Sequence, residues 1–195
     1  MESDVNFSWT LLKKEFKPVL VGMGVFLLLL FFEKASFHLS VISTVFYFFL
    51  LIITIFDIRY GLIFNKILFC FLVVFFIIYP LQYTFFPPIF PPISEGILTA
   101  FLAAIIFIFI QIISKNGMGG GDIKFIFCLG FWLGFEKILM AFYIAIFSAL
   151  IAVIFYKKFR QKGALIPFGA FLSFGAIIAF LYGEKLLNLY EEFLF

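Results

Sequence analysis

Apolar residues run along this chain in long blocks, and each block is closed by a short cluster of charge, glycine or proline. Blocks of about 20 apolar residues match the length a helix needs to cross a bilayer. The pattern predicts spans at 19–32, 38–56, 62–79, 93–113, 123–135, 137–156 and 166–182. The first is short, with Pro18 in its first turn and Glu33-Lys34 closing it. The second ends at Asp57, and Asp57-Ile58-Arg59-Tyr60-Gly61 reads as a tight polar connection. After the third span, Pro80, Pro87, Pro88, Pro91 and Pro92 mark a segment that does not continue a helix. The fifth span is short and interrupted by Gly130 and Gly134. The seventh carries Gly169, Ala170, Ser173, Gly175, Ala176 and Ala179, small residues that allow close helix packing in lipid. The fold class expected is therefore an all-α polytopic membrane protein, a bundle of about seven transmembrane helices. Residues 1–18 form a polar N-terminal segment, 19–183 the membrane domain and 184–195 a short amphipathic tail.

Composition sharpens this picture. Of 195 residues, 65% are hydrophobic and 13% charged, where a soluble domain has about half and a quarter. No stretch is left over for a separate soluble domain. The 35 phenylalanines serve as bulk apolar side chains in lipid. Cys70 and Cys128 each lie inside an apolar run, and no CxxC occurs, so neither zinc nor a disulfide framework is indicated. His38, the only histidine, reads as interfacial and rules out multi-histidine metal and serine–histidine schemes. No metal, cofactor or nucleic acid is expected; membrane lipids surround the chain.

The net charge of +3 matters less than where the charges fall. Trp9 and Phe16 beside Lys13, Lys14 and Lys17 read as a short interfacial helix, without the cleavage pattern of a secretory signal. With seven spans, one side holds Lys13, Lys14, Lys17, Arg59, Lys66, Lys115, Lys124, Lys157, Lys158, Arg160 and Lys162. The other side holds Lys34, Lys137 and Lys185. The positive-inside rule then places the N-terminus and the loops after spans two, four and six in the cytoplasm of an inner-membrane protein. Asp57 and Asp122 both fall at that face.

These two acids carry the candidate chemistry. Asp122 follows the glycines of Gly117-Met118-Gly119-Gly120-Gly121 and precedes an apolar span. Charge at membrane depth costs several kcal/mol and usually marks function. Two carboxylates within a few ångströms do not both ionise cheaply and share one proton. One member then takes a proton from water while the other polarises a peptide carbonyl, which is acid–base hydrolysis without a covalent intermediate. Taken singly, a glycine-rich loop is also a plain turn, and an acid at a span end is also a solvated cap. Arg59 and Lys124 read either as interface anchors or as groups that meet substrate. Asn65 reads as a helix cap or as a partner for substrate backbone.

The motifs resemble a known family. Gly119-Gly120-Gly121-Asp122 fits the GxGD signature of intramembrane aspartyl proteases, with Gly119 and Gly121 as the loop positions. The longer run 117–124, followed by Leu129-Gly130-Phe131-Trp132-Leu133-Gly134, is similar to bacterial type IV prepilin peptidase. Asp57-Ile58-Arg59-Tyr60-Gly61-Leu62-Ile63-Phe64-Asn65 resembles the family's first-aspartate segment, with Phe64 where proline is usual. Ile166-Pro167-Phe168-Gly169-Ala170-Phe171-Leu172 resembles its IPFGPFL segment, with Ala170 at the second proline. The resemblance implies a transmembrane peptidase domain with a GxGD core and Asp57 and Asp122 as the catalytic pair. It implies substrates that are prepilins or pseudopilins with a basic leader and an apolar N-terminal helix. Pro167 would break the start of the seventh span and free backbone groups for a substrate strand; without the resemblance it merely begins a helix. Many members carry a cytoplasmic N-methyltransferase domain with paired CxxC zinc sites, absent from this sequence, so the expectation is cleavage without methylation. The alternatives are a presenilin-like GxGD protease of other substrates and a proton- or cation-coupled transporter.

Overall fold

A computed structural model of the chain describes residues 15–32, 37–85, 89–114, 118–155 and 166–194. The helices are α1 Phe16–Phe32, α2 Phe37–Tyr60, α3 Asn65–Phe85, α4 Ile93–Ile113, α5 Gly120–Phe155 and α6 Phe168–Leu194. No strand occurs among the described residues. Five helices, α2 to α6, are long and apolar enough to cross a membrane, whereas the apolar stretch of α1, Lys17–Leu27, is shorter. The expected interfacial segment before Lys17, Pro87 and Pro88, Lys115, Gly117 and the basic loop at 157–162 lie outside the described residues. The side chain of His38 does too.

The expected fifth and sixth spans are the two arms of α5. A straight helix of 36 residues would run about 54 Å, well beyond a hydrocarbon layer of about 30 Å. Gly134 interrupts it with φ 71° and ψ −178°, a backbone state open to glycine and strained for other residues. The chain reverses there. Going toward Gly134, the first arm runs against α4, with Phe127 on Phe101 and Phe131 on Gly96. Beyond Gly134 the second arm runs along α4 in the same direction, from Phe135 at Glu95 to Phe142 at Phe107. The amide of Phe135 donates to Glu95 Oε1 at 3.1 Å, which satisfies a backbone group freed by the break.

Other boundaries also move. α2 continues one turn beyond the expected end at Phe56 and stops at Tyr60. Gly61, at φ 63°, donates its amide to the Asp57 carbonyl at 2.9 Å, so the glycine closes the helix. α3 runs through Pro80 to Phe85, so that proline does not end the third span. One ladder hydrogen bond is forgone there, which a helix packed in lipid tolerates. The buried Gln82 side chain then accepts the amides of Ile89 and Phe90, tying the proline-rich connection to α3. α6 continues unbroken to Leu194, so the expected tail is the end of this helix.

Trp132 of α5 is the centre of the core. It stacks on Phe71 of α3 at 4.9 Å with planes 5° apart, and meets Phe46 of α2 at 5.0 Å. Phe46 in turn stacks on Phe180 of α6 at 4.6 Å. Each such pair adds about 0.5–1.5 kcal/mol beyond the area it buries. Phenylalanines thus serve in the core as well, where they join α2, α3, α5 and α6. The small residues of α6 face inward: Gly175 lies against the Ala141 backbone of α5, with Ala176 and Ala179 fully buried. This packing fixes helix direction. α1 is antiparallel to α2, with Glu15 at Arg59 and Phe26 at Tyr47. α2 is antiparallel to α6, and α3 is parallel to the first arm of α5. One end of the bundle therefore gathers Glu15, the 61–64 loop and the starts of α3, α5 and α6.

Candidate active site

Both aspartates lie at that end, 65 positions apart in sequence. Asp57 sits in the last turn of α2, where its negative charge opposes the helix dipole. The start of α6 compensates. Ile166 and Pro167 are non-helical, and α6 begins at Phe168, so its first amides lack partners within the helix. The Ala170 amide donates to Asp57 Oδ2 at 2.9 Å, and the Gly169 backbone also bonds to the carboxylate. The side chain is thereby buried, with 7% of its surface exposed. Gly169 leaves the space for this contact: a Cβ there would lie 3.0 Å from Asp57 Oδ2.

Asp122 is seated differently. It is the third residue of α5, where a carboxylate suits the positive end of the helix dipole. Its amide donates to the Gly119 carbonyl at 3.1 Å, and its carboxylate reaches back to the Gly119 backbone. This is the return half of a capping box, with glycine at the cap position. Oδ2 lies where a Cβ at Gly119 would stand 3.3 Å away. Oδ1 is buried and has no hydrogen-bond partner among the described residues. The two aspartates are linked through Ile63, which lies against Gly121 next to Asp122 and against Gly169 next to the Asp57 carboxylate.

The three glycines of the turn differ in role. Gly119 clears room for Asp122, and Gly121 lets the 61–64 loop approach, since a Cβ there would lie 3.0 Å from Ile63 Cβ. Gly120 faces open space, as the variable position of a GxGD motif would.

Of the other expected residues, Arg59 and Lys124 turn away from the pair. Each follows an aspartate by two positions on a helix, and residues two apart do not share a face. Arg59 Nη1 bonds the buried carboxylate of Glu15, just before α1, at 2.6 and 2.8 Å, and Tyr60 also bonds Glu15 at 3.2 Å. Lys124 Nζ meets Asn65 Oδ1 at 2.9 Å, joining the starts of α5 and α3. The Phe64 carbonyl accepts the amides of Ile67 and Leu68, and its ring meets Phe56 edge-on at 5.1 Å. Phe64 thus starts α3 where the family pattern has proline. Pro167 stands just before α6, with its carbonyl accepting the Ala170 amide at 3.2 Å. Sequence read Gly169 and Ala170 only as small residues of an IPFGPFL-like segment, and Ile63 only as part of the segment after Asp57; none was given a role of its own at the site.

The described residues hold no cluster of histidine, cysteine or acid suited to a metal ion. Cys128 is buried with its thiol toward the Leu68 carbonyl, and Cys70 is exposed.

Comparison with known proteins bears on the same helices. The model of the type IV leader peptidase family matches residues 44–154. A prepilin leader peptidase/N-methyltransferase of Bacillus subtilis (strain 168) is 34% identical over 96 residues, which is 45% of this chain and 38% of that protein. The protein of the same name from Xanthomonas campestris is 33% identical over 91 residues, 44% of this chain and 31% of its own length. That from Pseudomonas aeruginosa is 30% identical over 92 residues, 46% and 32%. The chain thus spans about a third of the length of these curated relatives. No solved structure matches it. Because the matched region runs from α2 through both arms of α5 and contains each aspartate with its glycines, the chain belongs to the type IV leader peptidase family.

Proposed function

We propose that the protein is a membrane aspartic endopeptidase that removes the basic leader from prepilins or pseudopilins at the cytoplasmic face, with Asp57 and Asp122 as catalytic residues. The observation that carries this reading is that two carboxylates from distant helices lie at one end of the bundle, one held by the Ala170 amide and the other with a buried oxygen that has no partner among the described residues. The pair shares one proton. Its ionised member takes a proton from water as the water attacks the scissile carbonyl, and its protonated member stabilises the oxygen that becomes charged. The tetrahedral adduct then collapses, and the proton gained from water passes to the leaving amine. The site has the residues this needs without a metal or cofactor. Lys17, Arg59, Lys66 and Lys124 at the aspartate end, against Lys137 and Lys185 at the other, support the cytoplasmic orientation. They also favour lipids of an anionic inner leaflet there.

The test is coexpression with a prepilin-like protein of the same genome, with the product's N-terminus read by mass spectrometry. The expected product begins just before the apolar segment, and either Asp57→Asn or Asp122→Asn leaves the precursor uncut. Wild-type cleavage in both variants would reject the pair. A cut inside the apolar segment would favour a presenilin-like protease, and pH-driven flux without cleavage a transporter.

A further inference from the structure

We infer that Ile63 is a positioning residue that sets how far apart the two carboxylates stand; this rests on the proposal that Asp57 and Asp122 are the catalytic pair. Ile63 lies in the four-residue connection from α2 to α3 and is partly buried against the core. Its two ends touch the two helix starts that carry the site. On one side, a Cβ at Gly121 would stand 3.0 Å from Ile63 Cβ, 3.5 Å from its Cγ1 and 3.6 Å from its carbonyl oxygen. On the other, a Cβ at Gly169 would stand 2.8 Å from Ile63 Cδ1. Gly121 immediately precedes Asp122, and Gly169 immediately precedes the amide that holds Asp57. The isoleucine is therefore a spacer between α5 and α6, and neither helix offers a side chain of its own at the contact. Branching at Cβ restricts χ1, so the span from Cβ to Cδ1 is a stiff length. The gap it sets passes directly to the carboxylates, and a displacement of about 1 Å at a reacting pair lowers turnover about 100-fold.

A plain core residue would affect folding and nothing else. The two roles separate in kcat, KM and thermal stability measured on a prepilin-like substrate in detergent or lipid, with Asp57→Asn and Asp122→Asn as inactive references. Ile63→Leu keeps the volume but moves the branch point from Cβ to Cγ, and should lower kcat about 10-fold with KM nearly unchanged. The glycine contacts supply an internal check that does not depend on how well Ile63→Leu packs. Gly169→Ala should lose activity, and adding Ile63→Val, which lacks Cδ1, should restore part of it; the remainder reflects the Asp57 contact. Gly121→Ala should not be restored by Ile63→Val, because Cβ remains. The inference falls if Ile63→Leu alters only stability, or if Ile63→Val restores both glycine variants alike or neither. If instead the aspartate variants cleave normally, the catalytic pair itself is wrong. Inactive aspartate variants with unchanged kcat in Ile63→Leu would overturn the positioning role alone.

Discussion

The bundle has two ends at which a carboxylate lies beside a glycine, and they are built for different purposes. At one end Glu95, in the first turn of α4, accepts the Phe135 amide where α5 breaks at Gly134. Beside it, Lys137 of α5 pairs with Glu184 of α6 at 2.8 Å. At the other end Asp122 also sits in a first turn beside glycines, yet one of its oxygens is buried with no partner among the described residues, and a second carboxylate lies at the same end. An acid beside glycine is thus a common way to end or turn a helix. What the proposed site adds to a cap is a second acid from elsewhere in the chain.

The sharpest break of this comparison exchanges acid for amide at both ends. Asp57→Asn and Asp122→Asn should each reduce leader cleavage about 1,000-fold, the scale of losing an acid–base partner, while the protein still inserts and accumulates. Glu95→Gln should leave cleavage within about twofold, because the glutamine carbonyl still accepts the Phe135 amide. A gel assay of precursor and product, alongside membrane levels, reads all three. Loss of cleavage in Glu95→Gln would erase the distinction between the ends.

A methyl group on the glycines tests the same contrast one step down. Gly169→Ala places a carbon 3.0 Å from Asp57 Oδ2, and displacing that carboxylate should lower kcat about 10- to 100-fold. The fold should hold, since alanine suits the start of a helix. Gly134→Ala should do the reverse. Its backbone angles are strained for alanine, by about 1–3 kcal/mol, and the methyl would crowd Glu95 and Pro91. The variant should melt earlier, while molecules that remain folded cleave at nearly the normal rate. Thermal melts paired with specific activity separate the two effects.

Much of this was legible in the sequence because it follows from local rules. Asp57 and Asp122 stood out as charges beside apolar runs, and lysine and arginine placement put them on one side before any helix was positioned. The arms of α5 were legible as two apolar blocks, and the non-helical Gly134 separates them. Boundaries failed where the residue that looked like a stop was not one. α2 runs past Asp57 because Gly61, not the acid, is its stop, and α3 runs through Pro80. Arg59 read either as an interface anchor or as a group that meets substrate; the helical period sets it on a different face from Asp57, and it meets Glu15 from 44 positions away. Ile63 lay within the segment matched after Asp57, but nothing there gave it a role. One isoleucine among many becomes a spacer only when two glycines from distant segments close on it.

The smallest expected effects lie within the glycine turn itself, and they bear most directly on why Gly119 and Gly120 differ. Gly119→Ala brings a methyl 3.3 Å from Asp122 Oδ2, close enough to nudge the carboxylate without expelling it. Cleavage should fall about threefold, a barrier change of about 0.6 kcal/mol. Gly120→Ala, one residue on, meets nothing within 4 Å. It should leave kcat and KM unchanged and stabilise the protein by about 0.5 kcal/mol, as alanine does where its backbone angles are already allowed. If Gly120→Ala is as damaging as Gly119→Ala, the turn works through its flexibility and not through the room it leaves around Asp122.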